Sequence, residues 1–150
     1  MQLTMFSDFG LRIGLYLAAH PERLVSVEEI GGAYGISRAH LVKVVQRLTE
    51  IGVVESTRGR GGGLRLARAP EAIRIGDLVR ATEPTMDLVE CFDTQTNTCP
   101  IASACGIKGA MKRAQAAFVD SLNENTLADF LPRRDKLLTL WRQPAPPRPV

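Results

Sequence analysis

The chain has 150 residues, of which 45% are hydrophobic and 23% charged, and its formal net charge is +3. These values are typical of a soluble protein with one compact core and an extra element or two. The sequence contains no apolar run of about 18 residues, and its first 20 residues lack the basic lead-in of a signal peptide. We therefore expect a cytoplasmic protein that has no membrane partner.

The first third of the chain predicts three helices, of which the second and third are joined by a tight turn. Apolar residues at helical spacing indicate a first helix over 4–19, which Thr4 can cap. A second helix over 27–34 follows Ser26 as its cap, and Gly35 ends it. Ser37 then caps a third helix, which runs to about residue 51. This is the outline of a helix-turn-helix, in which the second helix of the motif enters the DNA major groove.

A β-hairpin follows the third helix. We predict strands over 53–56 and 64–67, joined by a loop that contains Arg58, Gly59, Arg60 and Gly61. A hairpin in this place is a wing: its glycines let the backbone approach a phosphate chain, and its arginines can enter a minor groove. Residues 37–70 hold seven basic side chains against two acidic ones, a local net charge of +5. That charge suits a nucleic-acid partner, but it also fits a solvated basic surface.

The second half of the chain predicts further helices around a polar loop. A fourth helix spans 75–82, a loop of little periodicity covers 85–104, and a long amphipathic helix runs from about 105 to 121. A short helix over 126–130 and a basic, proline-rich tail follow. In the tail, one last helical turn is predicted at Leu137, Leu138, Leu140 and Trp141, and the final eight residues are predicted to be disordered.

These elements predict a mainly α fold with a small β-hairpin wing, that is, a winged helix-turn-helix plus a long dimerisation helix. We expect a DNA-binding domain over 1–82, a cluster-binding loop over 83–106, a dimerisation helix and short helix over 107–131, and a partly disordered tail over 132–150. The dimer is expected because a long helix outside a compact winged domain usually serves self-association.

The three cysteines form the only cluster of metal-binding chemistry in the sequence. Cys91, Cys99 and Cys105 are separated by seven and five residues, unlike the close pairs of structural zinc sites. The wide spacing favours an iron–sulfur cluster, while zinc, a thiol redox switch and ordinary buried thiols remain alternatives. A fourth ligand would have to be a histidine, a carboxylate, water or a residue of another subunit, and the loop itself supplies Glu90 and Asp93.

Catalysis is not predicted. The triplet has no Cys-x-x-Cys pair, and the chain's two histidines, His20 and His40, lie in the other half of the sequence. No glycine-rich nucleotide motif follows a strand either.

Several stretches together resemble the winged-helix iron–sulfur repressor family, and most of all its nitric-oxide-sensing members. The resemblance runs from residue 1 to about 131 and rests on MQLTMFSDFGLR, YGISRAHLVKVVQRL, RGRGGGLRLA, IRIGDLVRATEP, TLADFL and the cysteine triplet. Members that regulate cluster biogenesis carry a histidine three residues after the third cysteine, and this chain has Lys108 there. This difference favours a resemblance to the nitric-oxide-sensing members.

The resemblance implies a homodimer that binds a palindromic promoter and holds a cluster, [4Fe–4S] rather than [2Fe–2S], on the three cysteines. It also implies that Asp8 of the partner subunit is the fourth ligand, oriented by Arg12 one helical turn away. The side chains expected to face DNA are Ser37, Arg38, His40, Lys43, Arg58 and Arg60. Nitric oxide would be the signal that relieves repression, and a regulator that senses iron or thiol oxidation on the same scaffold is the alternative.

Overall fold

The computed structural model describes residues 2–145 and has the predicted winged-helix architecture. Within these residues the helices are α1 (Met5–Ala18), α2 (Val27–Tyr34), α3 (Arg38–Glu50), α4 (Ile75–Thr82), α5 (Gly106–Leu122) and α6 (Arg134–Trp141). The strands β1 (Val54–Thr57) and β2 (Gly63–Leu66) form one antiparallel sheet. Over these residues, none of the helices combines the length and the apolar character that crossing a bilayer requires.

The predicted caps hold at the first two helices. The Thr4 hydroxyl accepts a hydrogen bond from the backbone N–H of Ser7 at 3.3 Å, and the Ser26 hydroxyl accepts one from Glu29 at 3.0 Å. Gly35 has φ of +64°, a left-handed conformation that glycine adopts without a steric cost, and it ends α2. Local side-chain chemistry therefore determines where the helix-turn-helix begins and turns.

Helix α1 is the centre of the core and packs against α3, α4 and β2. Two of its glycines let neighbouring side chains come close: a Cβ at Gly14 would lie 3.2 Å from Leu127, and one at Gly10 would lie 3.4 Å from Thr82. The largest fully buried side chains around it are Ile13, Ile30, Leu41, Leu48, Ile73, Leu78 and Leu127. One hydrophobic core thus fixes α3 and the hairpin relative to α1.

The hairpin is anchored at its base. Val54 pairs with Leu66 and Thr57 with Gly63, each strand lying within one residue of its predicted bounds. Leu64 of β2 also exchanges backbone hydrogen bonds of 3.0 and 2.8 Å with Val25, which attach the wing to the chain just before α2.

The C-terminal part is more ordered than a tail. The predicted short helix over 126–130 is a 3₁₀ segment, Leu127–Arg133, and α6 extends the predicted last helical turn to eight residues. Arg134 donates a hydrogen bond of 2.6 Å to the carbonyl of Ala19, so α6 packs back onto the end of α1. Of the eight residues predicted to be disordered, 146–150 lie outside the described residues.

Candidate nucleic-acid interface and cluster site

The exposed side of α3 divides into residues with partners inside the protein and residues without them. Arg38 forms an ion pair of 2.5 Å with Glu28 of α2, and both side chains are more than half exposed. The Ser37 hydroxyl lies 3.0 Å from His40 Nδ1 instead of capping the helix, and the His40 ring lies 6.3 Å from the Phe9 ring. These contacts brace α3 against α1 and α2.

A second set of α3 side chains is free to meet a ligand. The Val42 and Lys43 side chains are exposed, and neither has a hydrogen bond or ion pair within residues 2–145. Val42 is 39% exposed although it is apolar. Gln46, one turn further on, contacts only Glu50 of the same helix, at 3.4 Å. The sequence analysis predicts DNA contact for Lys43 and does not consider Val42 or Gln46, although both also lie opposite the buried stripe of α3.

Arg47 serves a different purpose from Lys43. Its Nε donates a hydrogen bond of 2.9 Å to the carbonyl of Ala81, close to the end of α4. This contact fixes α3 to α4, and the same side chain forms an ion pair of 3.4 Å with Glu50.

The wing loop presents two arginines on a tight glycine frame. Arg58 and Arg60 are exposed, and Gly59 and Gly61 have φ of +99° and +81°. A side chain at Gly62 would bring its Cβ within 2.2 Å of the carbonyl oxygen of Thr57, so only glycine fits there. The frame holds both guanidinium groups on the solvent side of the hairpin.

The cysteine segment is closed by its own polar side chains. Glu90 Oε1 accepts hydrogen bonds from the backbone N–H and the hydroxyl of Thr98, both at 2.7 Å. Because Glu90 precedes Cys91 and Thr98 precedes Cys99, the pair closes the long spacer between these two cysteines.

The two carboxylates that the sequence offered as nearby ligands are both engaged in this loop. Asp93 accepts hydrogen bonds of 2.8 Å from the backbone of Gln95 and from the Thr96 hydroxyl, and Glu90 holds Thr98. These hydrogen bonds keep the pKa of Glu90 and the pKa of Asp93 below their ordinary values, which favours two ionised groups that stabilise the loop.

The segment is also attached to α5. Gln115 donates a hydrogen bond to the carbonyl of Met86, and the Lys112 ammonium lies 5.8 Å from the centre of the Phe92 ring. Cys105 is the N-cap residue of α5, so the third cysteine stands at the positive end of that helix's dipole.

The donor chemistry of the three cysteines fits a soft metal cluster. All three are free and half-buried, and none lies in the core. In the part of the chain that the structure describes, no group of three His, Cys, Asp or Glu side chains converges on one metal ion. Thiolates are the ligands that iron–sulfur clusters take, so the chemistry of these three side chains matches such a cluster.

Asp8 and Arg12 form the ion pair that their spacing predicts. Arg12 contacts the two carboxylate oxygens of Asp8 at 3.0 and 2.8 Å, and both side chains are about two-fifths exposed. The pair lies on the first turns of α1.

Helix α5 has an apolar stripe that the chain itself leaves uncovered. Met111, Phe118 and Val119 lie at least partly buried on one side. About a third of a turn away, exposed small or apolar residues recur at intervals of three and four: Ile107, Ala110, Ala114, Ala117 and Ser121. This is the spacing of a two-helix seam.

Comparison with known proteins gives a consistent result. Residues 3–133 match the family described as "Rrf2: Iron-dependent Transcriptional regulator". The HTH-type transcriptional regulator NsrR of Halalkalibacterium halodurans is 45% identical over 143 residues, which is 95% of this chain and 98% of the relative.

Solved structures show the same fold. The T. potens IscR structure superposes with a TM-score of 0.72 at 26% identity, over 91% of this chain and 90% of that one. CymR (YrzC), the global cysteine regulator of B. subtilis, superposes with a TM-score of 0.66 at 27% identity, over 86% of this chain and 95% of that one.

Proposed function

The chain belongs to the Rrf2 family of transcriptional regulators and is not an enzyme, and from that membership we propose that it is a dimeric repressor that senses nitric oxide. The observation that carries the proposal is the cysteine segment, with three free thiols in a loop closed by Glu90 and Thr98 and attached to α5. In this proposal the protein acts in the cytoplasm on promoter DNA.

The residues that would hold the cluster are Cys91, Cys99 and Cys105, with Asp8 of the second copy as the fourth ligand. Within one chain, Glu90 and Asp93 are engaged in the loop, which favours a carboxylate from elsewhere. When bound, the cluster would supply iron that reacts with nitric oxide, and we favour [4Fe–4S] over [2Fe–2S].

The chain's own residues would pass the state of this site to the DNA-reading surface. In the proposed dimer the α5 stripes pair, and each cysteine segment meets the start of the partner's α1. Within each chain, α1 is braced to α3 through Phe9 and His40. A segment tied to the neighbouring α1 would therefore set the separation of the two α3 helices, which must match grooves about 34 Å apart.

We assign DNA contact to the exposed side of α3 and to the wing loop. Lys43, Val42 and Gln46 of α3 would meet the major groove, and Arg58 and Arg60 would reach flanking minor grooves, where Gly59 and Gly61 allow close approach. Ser37, Arg38 and His40 would add contacts beside them. The pair with Glu28 uses only Nε of Arg38, which leaves the terminal guanidinium nitrogens for phosphates or bases.

The test is anaerobic purification followed by visible absorbance, iron and sulfide analysis and operator affinity, each before and after nitric oxide. Coloured protein that binds the operator tightly and loses both properties with nitric oxide supports the proposal. Cys99→Ala is expected to be colourless and to bind weakly, while Ser103→Ala, an exposed change in the same segment, should match the wild type. Equal operator binding by Cys99→Ala would overturn the switch, and colourless protein whose binding responds to thiol oxidants would favour the thiol-sensing alternative.

A further inference from the structure

A cavity lies between the end of α1 and α6, far from the cysteines in sequence. Its volume is about 390 Å³, within the range of small-molecule sites. Helix α6 supplies one wall with Arg134, Leu138, Trp141 and Arg142, which share one helix face because they recur at helical spacing. The proposed function gives this cavity no role.

Aromatic rings from both walls meet at this cavity. The Tyr16 and His20 rings stack with centroids 4.5 Å apart, and the Trp141 ring lies 4.6 Å from Tyr16. Three ring systems therefore border the same space, which suits a planar guest.

His20 adds a polar atom to the lining of the cavity. Its Nδ1 lies 2.8 Å from the carbonyl oxygen of Tyr16, which can only accept, so Nδ1 donates. No fully buried side-chain nitrogen or oxygen lacks a partner in the described part of the chain. His20 Nε2 forms no hydrogen bond within residues 2–145, and His20 is one of the residues that line the cavity.

Three arginines and two glutamates line the cavity, so one arginine has no acidic partner there. Arg23 pairs with Glu29 at 2.5 Å, and Arg134 pairs with Glu22 at 2.9 Å. Arg142 lines the cavity, and its side chain has no ion pair or hydrogen bond within residues 2–145. With the other four charges paired, the net positive charge of the lining falls on the Arg142 guanidinium.

We propose that this cavity binds a small planar aromatic carboxylate, with its ring against Trp141 and its carboxylate on Arg142. A neutral aromatic molecule would form no ion pair with the Arg142 guanidinium, and a cationic one would be repelled by it. Because the walls come from α1 and α6, a bound molecule would hold α6 on the DNA-binding domain. The site is independent of the cluster, so the iron content of the protein does not enter its test.

The experiment uses the full chain and benzoate as the probe. Trp141 is the only tryptophan, so its fluorescence reports on the cavity directly, and calorimetry measures the same equilibrium without the fluorophore. We expect saturable binding of benzoate and much weaker binding of acetate, which lacks the ring, and of benzylamine, which reverses the charge. Equal binding of either control compound would overturn the proposal.

Two variants locate the binding. Arg142→Gln should weaken benzoate about tenfold because a charge-assisted pair is lost. Arg133→Gln removes a neighbouring exposed arginine that does not line the cavity and should leave the affinity unchanged. The proposal fails if wild-type protein gives no saturable signal, or if Arg142→Gln binds benzoate as the wild type does.

Discussion

Glu90 accepts two hydrogen bonds of 2.7 Å from Thr98, one from the backbone and one from the hydroxyl. Each of the two residues directly precedes a cysteine, so this contact fixes the separation of Cys91 and Cys99 without touching either sulfur. A spacer of seven residues between two ligands would otherwise have to be ordered by the cluster alone, at a cost in chain entropy.

Glu90→Ala should therefore weaken cluster retention although every cysteine remains. Residues that orient metal ligands typically contribute tenfold or more to metal affinity, and we expect a loss of about tenfold. The measurement is the rate of iron transfer to a chelator under anaerobic conditions. Asp87→Ala removes an exposed carboxylate of the same segment whose side chain makes no hydrogen bond within residues 2–145, and it should behave as the wild type. Equal iron loss in the two variants would contradict the role of the Glu90–Thr98 contact.

A second carboxylate, Glu83, joins the end of α4 to the start of α1. It accepts hydrogen bonds of 2.8 and 3.0 Å from the backbone and hydroxyl of Thr4. Partial burial alone would raise the pKa of Glu83, but the hydrogen bonds from Ser7 and Thr4 outweigh it and hold the pKa below its ordinary value. A depressed pKa in the folded state stabilises the fold above the unfolded value of 4.5, and this stabilisation is lost as the pH falls through the folded value.

Glu83→Gln should thus lower the free energy of unfolding by about 1 kcal/mol near neutral pH, because charge-assisted hydrogen bonds become neutral ones. The difference from the wild type should disappear on acidification below the folded pKa. Urea unfolding at several pH values measures it, with Glu71→Gln, an exposed change, as the control. A deficit that persists unchanged in acid would show that Glu83 acts through packing and not through its charge.

The division of the α3 surface predicts two different effects on DNA binding. Lys43→Ala and Arg60→Ala should each flatten the dependence of log affinity on log salt by about 0.9, the contribution of one phosphate contact. Val42→Ala should leave that slope unchanged and lower operator affinity roughly fivefold, since an exposed apolar group in the major groove packs on thymine methyl groups.

Fluorescence anisotropy with an operator fragment over a range of salt concentrations separates these cases. Nonspecific DNA is the control for Val42→Ala, which should bind it as the wild type does. A slope that does not change in Arg60→Ala would remove the wing from the DNA interface.

If two chains associate through the uncovered stripe of α5, a charge placed in that stripe should prevent dimerisation without unfolding the chain. Ala114→Arg places a charge in the middle of the stripe and should halve the mass measured by light scattering while helix content stays the same. Ala116→Arg is the matched control, because residue 116 is equally exposed but lies on the polar side of α5. A dimer that survives Ala114→Arg and dissociates in Ala116→Arg would move the interface to the other side.

The sequence predicts a structural feature best when the residues that determine it are close together in the chain. The bounds of α2 and α4 agree with prediction to the residue, because capping side chains, glycine and proline act within a few positions of the helix end. The Asp8–Arg12 pair was predictable for the same reason, since residues one helical turn apart must meet. Strand ends differ by one residue, where pairing and not propensity decides them.

Contacts between distant segments were not predictable. The pairing of Arg38 with Glu28, the closure of the spacer by Glu90 and the return of Arg134 to Ala19 join side chains whose proximity depends on the finished fold. The last contact explains why a segment with the composition of a tail forms α6. A helix as short as α6 is not stable by itself, and it forms because the end of α1 covers its few apolar residues.

The role of Asp8 can be tested by mixing two defective chains. If Asp8 completes the site of the other subunit, a heterodimer of an Asp8→Ala chain with a Cys99→Ala chain has one complete site. That site combines the three cysteines of the first chain with Asp8 of the second. If Asp8 served its own chain, neither site would be complete.

Co-expression with two different affinity tags and sequential purification under anaerobic conditions yields the heterodimer, whose iron content we expect to be half that of the wild type. Both homodimers are the controls and should retain little iron, because a site without its fourth ligand or without one thiolate holds the cluster weakly. Iron in the heterodimer as low as in the two homodimers would exclude ligation between subunits, whereas full retention by the Asp8→Ala homodimer would remove Asp8 from the site.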